Sequence, residues 1–130
     1  MPTIVVAAVT IRDDAGRVLT VRKRGTSRFM HPGGKPETGE SMIDTAIREC
    51  AEELGIVIGR NQLREVGVWH TAAANEPGHD LESTVFEYTG PPIDPSAAAE
   101  IDEIRWVTPS EVSGDDYAPL LISVLDATPS

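Results

Sequence analysis

The sequence predicts an α+β fold in layers, with helices covering a sheet whose strands come mostly as hairpins. Three observations carry that prediction. Ile43, Ile47, Cys50 and Leu54 recur on one helical face, between a capping serine, Ser41, and a glycine stop, Gly55. Tyr117, Leu120, Leu121, Val124 and Leu125 make a second amphipathic stripe near the C-terminus. The rest is dominated by short β-branched runs bounded by turn residues.

Thr3 to Ile11 is dense in β-branched and small apolar residues and reads as a strand buried on both faces. Asp13-Asp14-Ala15-Gly16 is a turn. Arg17 to Arg24 follows as the return strand of a hairpin. Alternation puts Val18, Thr20, Arg22 and Arg24 on one face, and Leu19, Val21 and Lys23 on the other. For the cations two readings stand level: an exposed strand end, or a contact for substrate phosphate. Gly25 to Met30 leads into the loop Pro32-Gly33-Gly34-Lys35, with Lys35 a further candidate substrate contact. Phe29 or Met30 either anchors that loop or packs against a base.

Ser41 starts the central helix, with Asp44 three residues on as its capping-box partner. Glu49, Glu52 and Glu53, spaced i, i+3 and i+4, fall side by side and away from the apolar stripe. Arg48 reaches Glu52 one turn on, which leaves two negative charges over. A solvated helix face would explain such a run. The Gly-rich approach before it, where backbone can come close to a ligand, favours a cluster of hard oxygen ligands for Mg²⁺ or Mn²⁺.

Gly59 to Gln62 is a polar connection, and Leu63 to Ala74 a strand with Val66, Val68 and His70 on one face and Trp69 on the other. Asn75 to Asp80 turns the chain into the strand Leu81 to Thr89, making a hairpin. Gly90-Pro91-Pro92 breaks the structure and Ile93 to Ala99 is a loop. Ile104, Trp106 and Val107 mark another short strand. Thr108-Pro109-Ser110-Glu111 is a capping-box start for a short helix that Ser113-Gly114 ends. The last stripe makes the final helix, and Thr128-Pro129-Ser130 should fray.

At 130 residues the chain reads as one domain, 1–130, with no internal repeat or long linker. A net charge of −10 argues against a nucleic acid polymer as partner. A phosphate-rich small molecule then needs divalent metal to bridge two anions. The apolar run from Ile4 to Ile11 is too short for a membrane span, and no partner membrane is expected. One cysteine excludes an internal disulfide and fits a cytoplasmic location. His31, His70 and His79 have no zinc-site spacing.

The segment from Gly34 to Ile56 resembles the signature of the Nudix hydrolases, G-x5-E-x7-R-E-U-x-E-E-x-G-U with U aliphatic. Gly34, Glu40, Arg48, Glu49, Glu52, Glu53 and Gly55 fill the seven fixed positions, and Ile56 the last aliphatic one. Cys50 departs at the first U, where a buried thiol serves as a small hydrophobe. The resemblance implies an α/β/α sandwich with a mixed sheet between helices.

It also implies hydrolysis of a nucleoside diphosphate linked to another moiety, by water attack on phosphorus with Mg²⁺ or Mn²⁺. Glu49, Glu52, Glu53 and the carbonyl of Gly33 map onto the metal ligands. Glu40 and Arg48 map onto positions that brace the loop and orient the carboxylates. For the general base the choice lies among Glu52, Glu53, Glu100 and Glu103, and Glu100 equally supplies a further metal ligand. The proline that marks many ADP-ribose hydrolases would fall at Thr71 and is missing. A box-only chain most resembles the nucleoside triphosphate pyrophosphohydrolases, including those that remove oxidised nucleotides. Hydrolysis of a nucleotide sugar or dinucleoside polyphosphate, and a non-catalytic nucleotide sensor, are the alternatives. Assembly as a homodimer is left open.

Overall fold

The computed structural model describes residues 2–127, so the expected fraying at Thr128-Pro129-Ser130 lies outside them. In chain order the described elements are β1 (Thr3–Thr10), β2 (Val18–Lys23), β3 (Gly33–Gly34), α1 (Met42–Leu54), β4 (Leu63–Ala72), β5 (Asp80–Tyr88), β6 (Ile101–Val107) and α2 (Pro119–Ala127). One sheet has the order β3-β1-β5-β4, and β2 pairs with β6 separately. The larger sheet is mixed: β1 runs parallel to β5, and the β1–β3 and β4–β5 pairs are antiparallel. The α+β sandwich expected from the sequence is the fold observed.

Side-chain alternation decides which helix covers which face. Ala7 and Val9 of β1 and Phe86 of β5 pack with Ala46, Cys50 and Leu54 of α1. Ala8 and Val85 point the other way and meet Leu120 and Val124 of α2. A third cluster joins Val18, Phe29, Val107 and Tyr117 to Leu121 and Leu125. Burying Leu121 and Val124 fully is worth about 2 kcal/mol for each side chain.

Several local expectations change. The turn at residues 13–16 forms, with Asp13 Oδ1 accepting the N–H groups of Ala15 and Arg17 at 3.0 and 2.8 Å. The hairpin does not continue. After the Arg12–Val18 bridge, β2 leaves β1 and pairs with β6, because both edges of β1 are taken by β3 and β5. β1 itself is buried on both faces only from Ala7 onward.

The β4–β5 hairpin is present, with an extra residue on β4 where the register slips between Glu65 and Gly67. That bulge breaks the alternation. Val66 and Trp69 therefore pack against the same cluster, whereas Val68 is 52% exposed.

Ser41 caps α1 by accepting the Asp44 N–H at 3.2 Å. The Asp44 carboxylate pairs with Arg60, so no reciprocal bond closes the capping box. Gly55 ends the helix in the left-handed region, φ 68°, its N–H bonded to the Ala51 carbonyl at 3.1 Å. At Thr108 the side chain makes no cap. A backbone bond, Glu111 N–H to the Thr108 carbonyl at 2.8 Å, closes the short 3-10 turn instead.

Candidate active site

The site forms where β3 is pressed between β1 and α1. Gly33 and Gly34 pair with Ala8 and Ala7, and a side chain at either would strike a neighbour, backbone at Gly33 and a side chain at Gly34. A Cβ on Gly33, whose φ is 150°, would collide with the Ala7 carbonyl oxygen. One on Gly34 would collide with the carboxylate of Glu49. Two glycines let backbone, helix carboxylate and strand meet at one point.

The three helix glutamates do not share one solvated face, as their spacing predicts. β3 covers part of that face and divides them. Glu53 is buried, 1% exposed, with Oε1 accepting the Gly33 N–H at 3.0 Å. Its Oε2 is also buried and has no hydrogen-bond partner among the described residues. Glu49 is mostly covered beside Gly34, whereas the Glu52 side chain is half exposed. Burial pushes the Glu53 carboxyl up to about 8, against the pull of the Gly33 N–H and with a push from Glu49. Glu49 is raised as well, again first by burial.

Arg48 ties this cluster to the preceding loop. Its Nε and Nη2 donate to the two oxygens of Glu40 at 2.8 and 2.9 Å, and Nη2 also reaches the Lys35 carbonyl at 2.9 Å. Nη1 lies 3.3 Å from Glu52 and 3.5 Å from Glu49. Glu40 also accepts from Thr45 Oγ1 at 2.8 Å and from the Glu37 N–H at 3.0 Å. These bonds hold its carboxyl down to about 2, the Arg48 bonds most of all.

Among the described residues no three His, Cys, Asp or Glu side chains stand close enough together to enclose one ion. Glu52 is turned toward Arg48. The residues still fit a hard divalent cation. Mg²⁺ is commonly held by one or two carboxylates plus substrate phosphate, not by a complete protein cage. The unpartnered Glu53 oxygen, beside a glycine that leaves room only for the Glu49 carboxylate, supplies that donor set.

A cleft of about 440 Å³ opens beside the cluster, within the range of small-molecule sites. Of the residues expected to act, Gly33, Lys35, Glu49 and Glu100 line it. Glu52 and Glu53, on α1, are not among its lining residues. Arg22 and Arg24 are not among the lining residues. Arg22 is engaged by Asp102, Glu103 and the Thr26 carbonyl at 3.1, 3.3 and 2.9 Å. Phe29 is in the core, 4% exposed, beneath the Arg105 guanidinium and beside Tyr117. Its neighbour Met30 takes the place at the wall.

Of the three cations at the end of β2, which the sequence reads either as an exposed strand end or as a phosphate contact, Lys23 is the one that lines the cleft. Lys23 lies 3.3 Å from Glu100, and its charge favours ionisation of Glu49 and Glu53. Strand alternation had separated it from Arg22 and Arg24, and that was the available signal. His31 is buried, with Nε2 3.1 Å from Thr10 Oγ1 and burial pushing its imidazole down to about 4. Nothing in its spacing marked it. Ala99, just before Glu100, is the non-glycine residue held at positive φ, 55°, among the described residues.

Comparison with known proteins agrees with this geometry. A protein of Nocardia farcinica (strain IFM 10152) named isopentenyl-diphosphate Delta-isomerase is 35% identical over 140 residues, covering 92% of this chain and 75% of its own. A MutT-like protein of Streptomyces ambofaciens is 29% identical, covering 95% and 77%. The crystal structure of a MutT NUDIX hydrolase from Burkholderia pseudomallei superposes with a TM-score of 0.80 at 19% identity, over 97% of this chain and 98% of that one. The NUDIX domain family model matches residues 1–126, which span the carboxylate cluster, its Arg48 brace and the cleft beside them: the chain belongs to the Nudix hydrolase family.

Proposed function

We propose that the chain hydrolyses a nucleoside triphosphate, standard or oxidised, to nucleoside monophosphate and pyrophosphate, with Mg²⁺ or Mn²⁺ bound. One observation carries the reading: Glu49 and the unpartnered oxygen of Glu53 meet at two glycines beside a cleft of ligand size. Glu49, Glu53 and the Gly33 carbonyl would hold the ion, with Glu52 swinging from Arg48 to join them. When bound, the ion offsets phosphate charge and lowers the pKa of water.

The remaining roles belong to the chain's own side chains. Arg48, locked to Glu40 and the Lys35 carbonyl, fixes the loop against α1 so that the glycines and glutamates keep their spacing. Lys23 and Lys35 take the outer phosphate oxygens. Glu100, with its side chain 58% exposed and anchored by Lys23, accepts the proton of the attacking water. The nucleobase lies toward Asn75 and Glu76, whose polar groups line the cleft away from its apolar wall. The single buried Cys50 supports a cytoplasmic setting.

The test is a screen of nucleoside triphosphates, dinucleoside polyphosphates and nucleotide sugars with Mg²⁺, followed by ¹⁸O-labelled water on the best triphosphate. Label in the nucleoside monophosphate supports attack at the inner phosphorus. Label in pyrophosphate alone, or release of single phosphate, contradicts it. A blank across the whole screen would favour a nucleotide sensor.

A further inference from the structure

The wall of the cleft divides by chemistry. Lys23, Lys35, Glu49, Asn75, Glu76 and Glu100 supply charge and hydrogen bonding, from α1, the end of β2 and the loops. Ile4, Val6 and Ala8 of β1, Leu81 of β5 and Leu120 of α2 supply an apolar surface. Met30 and three consecutive alanines, Ala72 to Ala74, extend it. Among the described lining residues there is no Phe, Tyr or Trp.

The aromatic residues nearest in sequence are used elsewhere. Phe29 lies under Arg105 and beside Tyr117, and Trp69 packs against the α2-side cluster. A nucleobase binds well where a ring can stack on it and polar groups can meet its edge. On the apolar wall no exposed ring is offered: the one ring there, His31, is 5% exposed, with Nε2 engaged with Thr10 and Nδ1 buried without a partner among the described residues. Branched and straight alkyl surface of this kind matches another alkyl group, by area removed from water.

From this we infer a second substrate class for the same site, the diphosphate monoesters of short alkyl or alkenyl chains. The inference rests on reading the polar lining as a diphosphate site. The alkyl chain lies against Val6, Leu81 and Leu120, and the diphosphate takes the place proposed for the phosphates of a nucleotide. The oxygen of water bonds to one phosphorus and the bridging P–O bond breaks. Its electron pair leaves with the departing phosphate, and the proton of water passes to Glu100. The products are an alkyl monophosphate and inorganic phosphate.

The experiment measures kcat/KM for straight-chain alkyl diphosphates of two, four and six carbons, beside the nucleoside triphosphates, with Mg²⁺ and the intact chain. The expected result is a rise of up to about fourfold per added methylene, the value of burying one CH₂. Alkyl monophosphate and phosphate should appear in equal amounts. Triphosphate turnover with no alkyl diphosphate turnover would overturn the inference and leave the nucleotide reading standing. A series flat in chain length overturns the apolar contact, and release of alcohol with pyrophosphate overturns the P–O–P step. If neither class is hydrolysed with Mg²⁺ or Mn²⁺, the diphosphate reading falls and this inference falls with it.

Discussion

Arg48 and Glu40 are joined by two parallel bonds, Nε to Oε2 at 2.8 Å and Nη2 to Oε1 at 2.9 Å, across eight residues of chain. A fork of this geometry fixes direction as well as distance, which a lysine could not do. It fastens the loop that carries Gly33 and Gly34 to the helix that carries Glu49 and Glu53. The proposed metal-binding constellation is therefore held from outside the cleft.

That pair sets an acid-side dependence of stability. Glu40 has its folded pKa near 2, below its ordinary 4.5, so it stabilises the fold above the ordinary value. The contribution is lost as pH falls from there through about 2. Urea melts of wild type and Glu40→Gln should differ by a constant amount above pH 4.5, and the gap should close toward pH 2. A gap that widens on acidification would refute the assignment.

The two glycines should fail in different ways. Gly33→Ala puts a methyl group into the backbone of β1 at a φ of 150°, and nothing there can yield. A loss of about 2–3 kcal/mol in denaturant melts is expected. Gly34→Ala meets only the movable end of Glu49. It should cost less than about 1 kcal/mol of stability and at least tenfold in kcat. Equal effects on stability would show that Glu49 is not what Gly34 accommodates.

Cys50 is fully buried, and burial pushes its thiol up to about 12. Native protein should resist thiol reagents that label the unfolded chain within minutes. Cys50→Val, close in volume, should change stability by less than about 1.5 kcal/mol and leave hydrolysis intact. Loss of activity in a stable Cys50→Val protein would give the thiol a chemical role.

The sequence made the two helices and the box legible because helical spacing and a fixed signature are local properties. Ile43, Cys50 and Leu54 needed no partner to be read as one face. Pairing is not local. Thr3 to Ile11 and Arg17 to Arg24 satisfy every hairpin rule, yet β1 gives its edges to β3 and β5. β3 is two glycines long, and no propensity marks it as a strand. The site suffered from the same gap. A helical wheel places Glu53 with Glu52 in water, and only the arrival of β3 buries it. Sequence alone does not separate Phe29 from Met30; packing against Arg105 and Tyr117 puts Phe29 inside.

Glu100 stands at the mouth of the cleft, tied to Lys23 at 3.3 Å. If it takes the proton of water, Glu100→Gln should lower kcat by about 10²–10³ and leave KM within threefold. An unchanged kcat would return the role of base to Glu52, whose Gln variant is the matched control.

Glu53 combines complete burial with an oxygen that finds no partner among the described residues. Burying a carboxyl with one oxygen unpartnered costs the metal-free fold stability, which supports the proposal that Glu53 serves a ligand and not packing. Glu53→Gln has the same shape, keeps an oxygen for the Gly33 N–H, and removes the charge. The metal-free variant should be at least as stable as wild type in EDTA. Wild-type Tm should rise with Mg²⁺, as for any ligand bound only by the folded state, and the variant's rise should be largely lost. Turnover should fall by at least about 10²-fold, the scale on which a displaced charge at the reacting phosphorus is felt. Wild-type turnover with an unchanged Mg²⁺ response in this variant would remove Glu53 from the metal site.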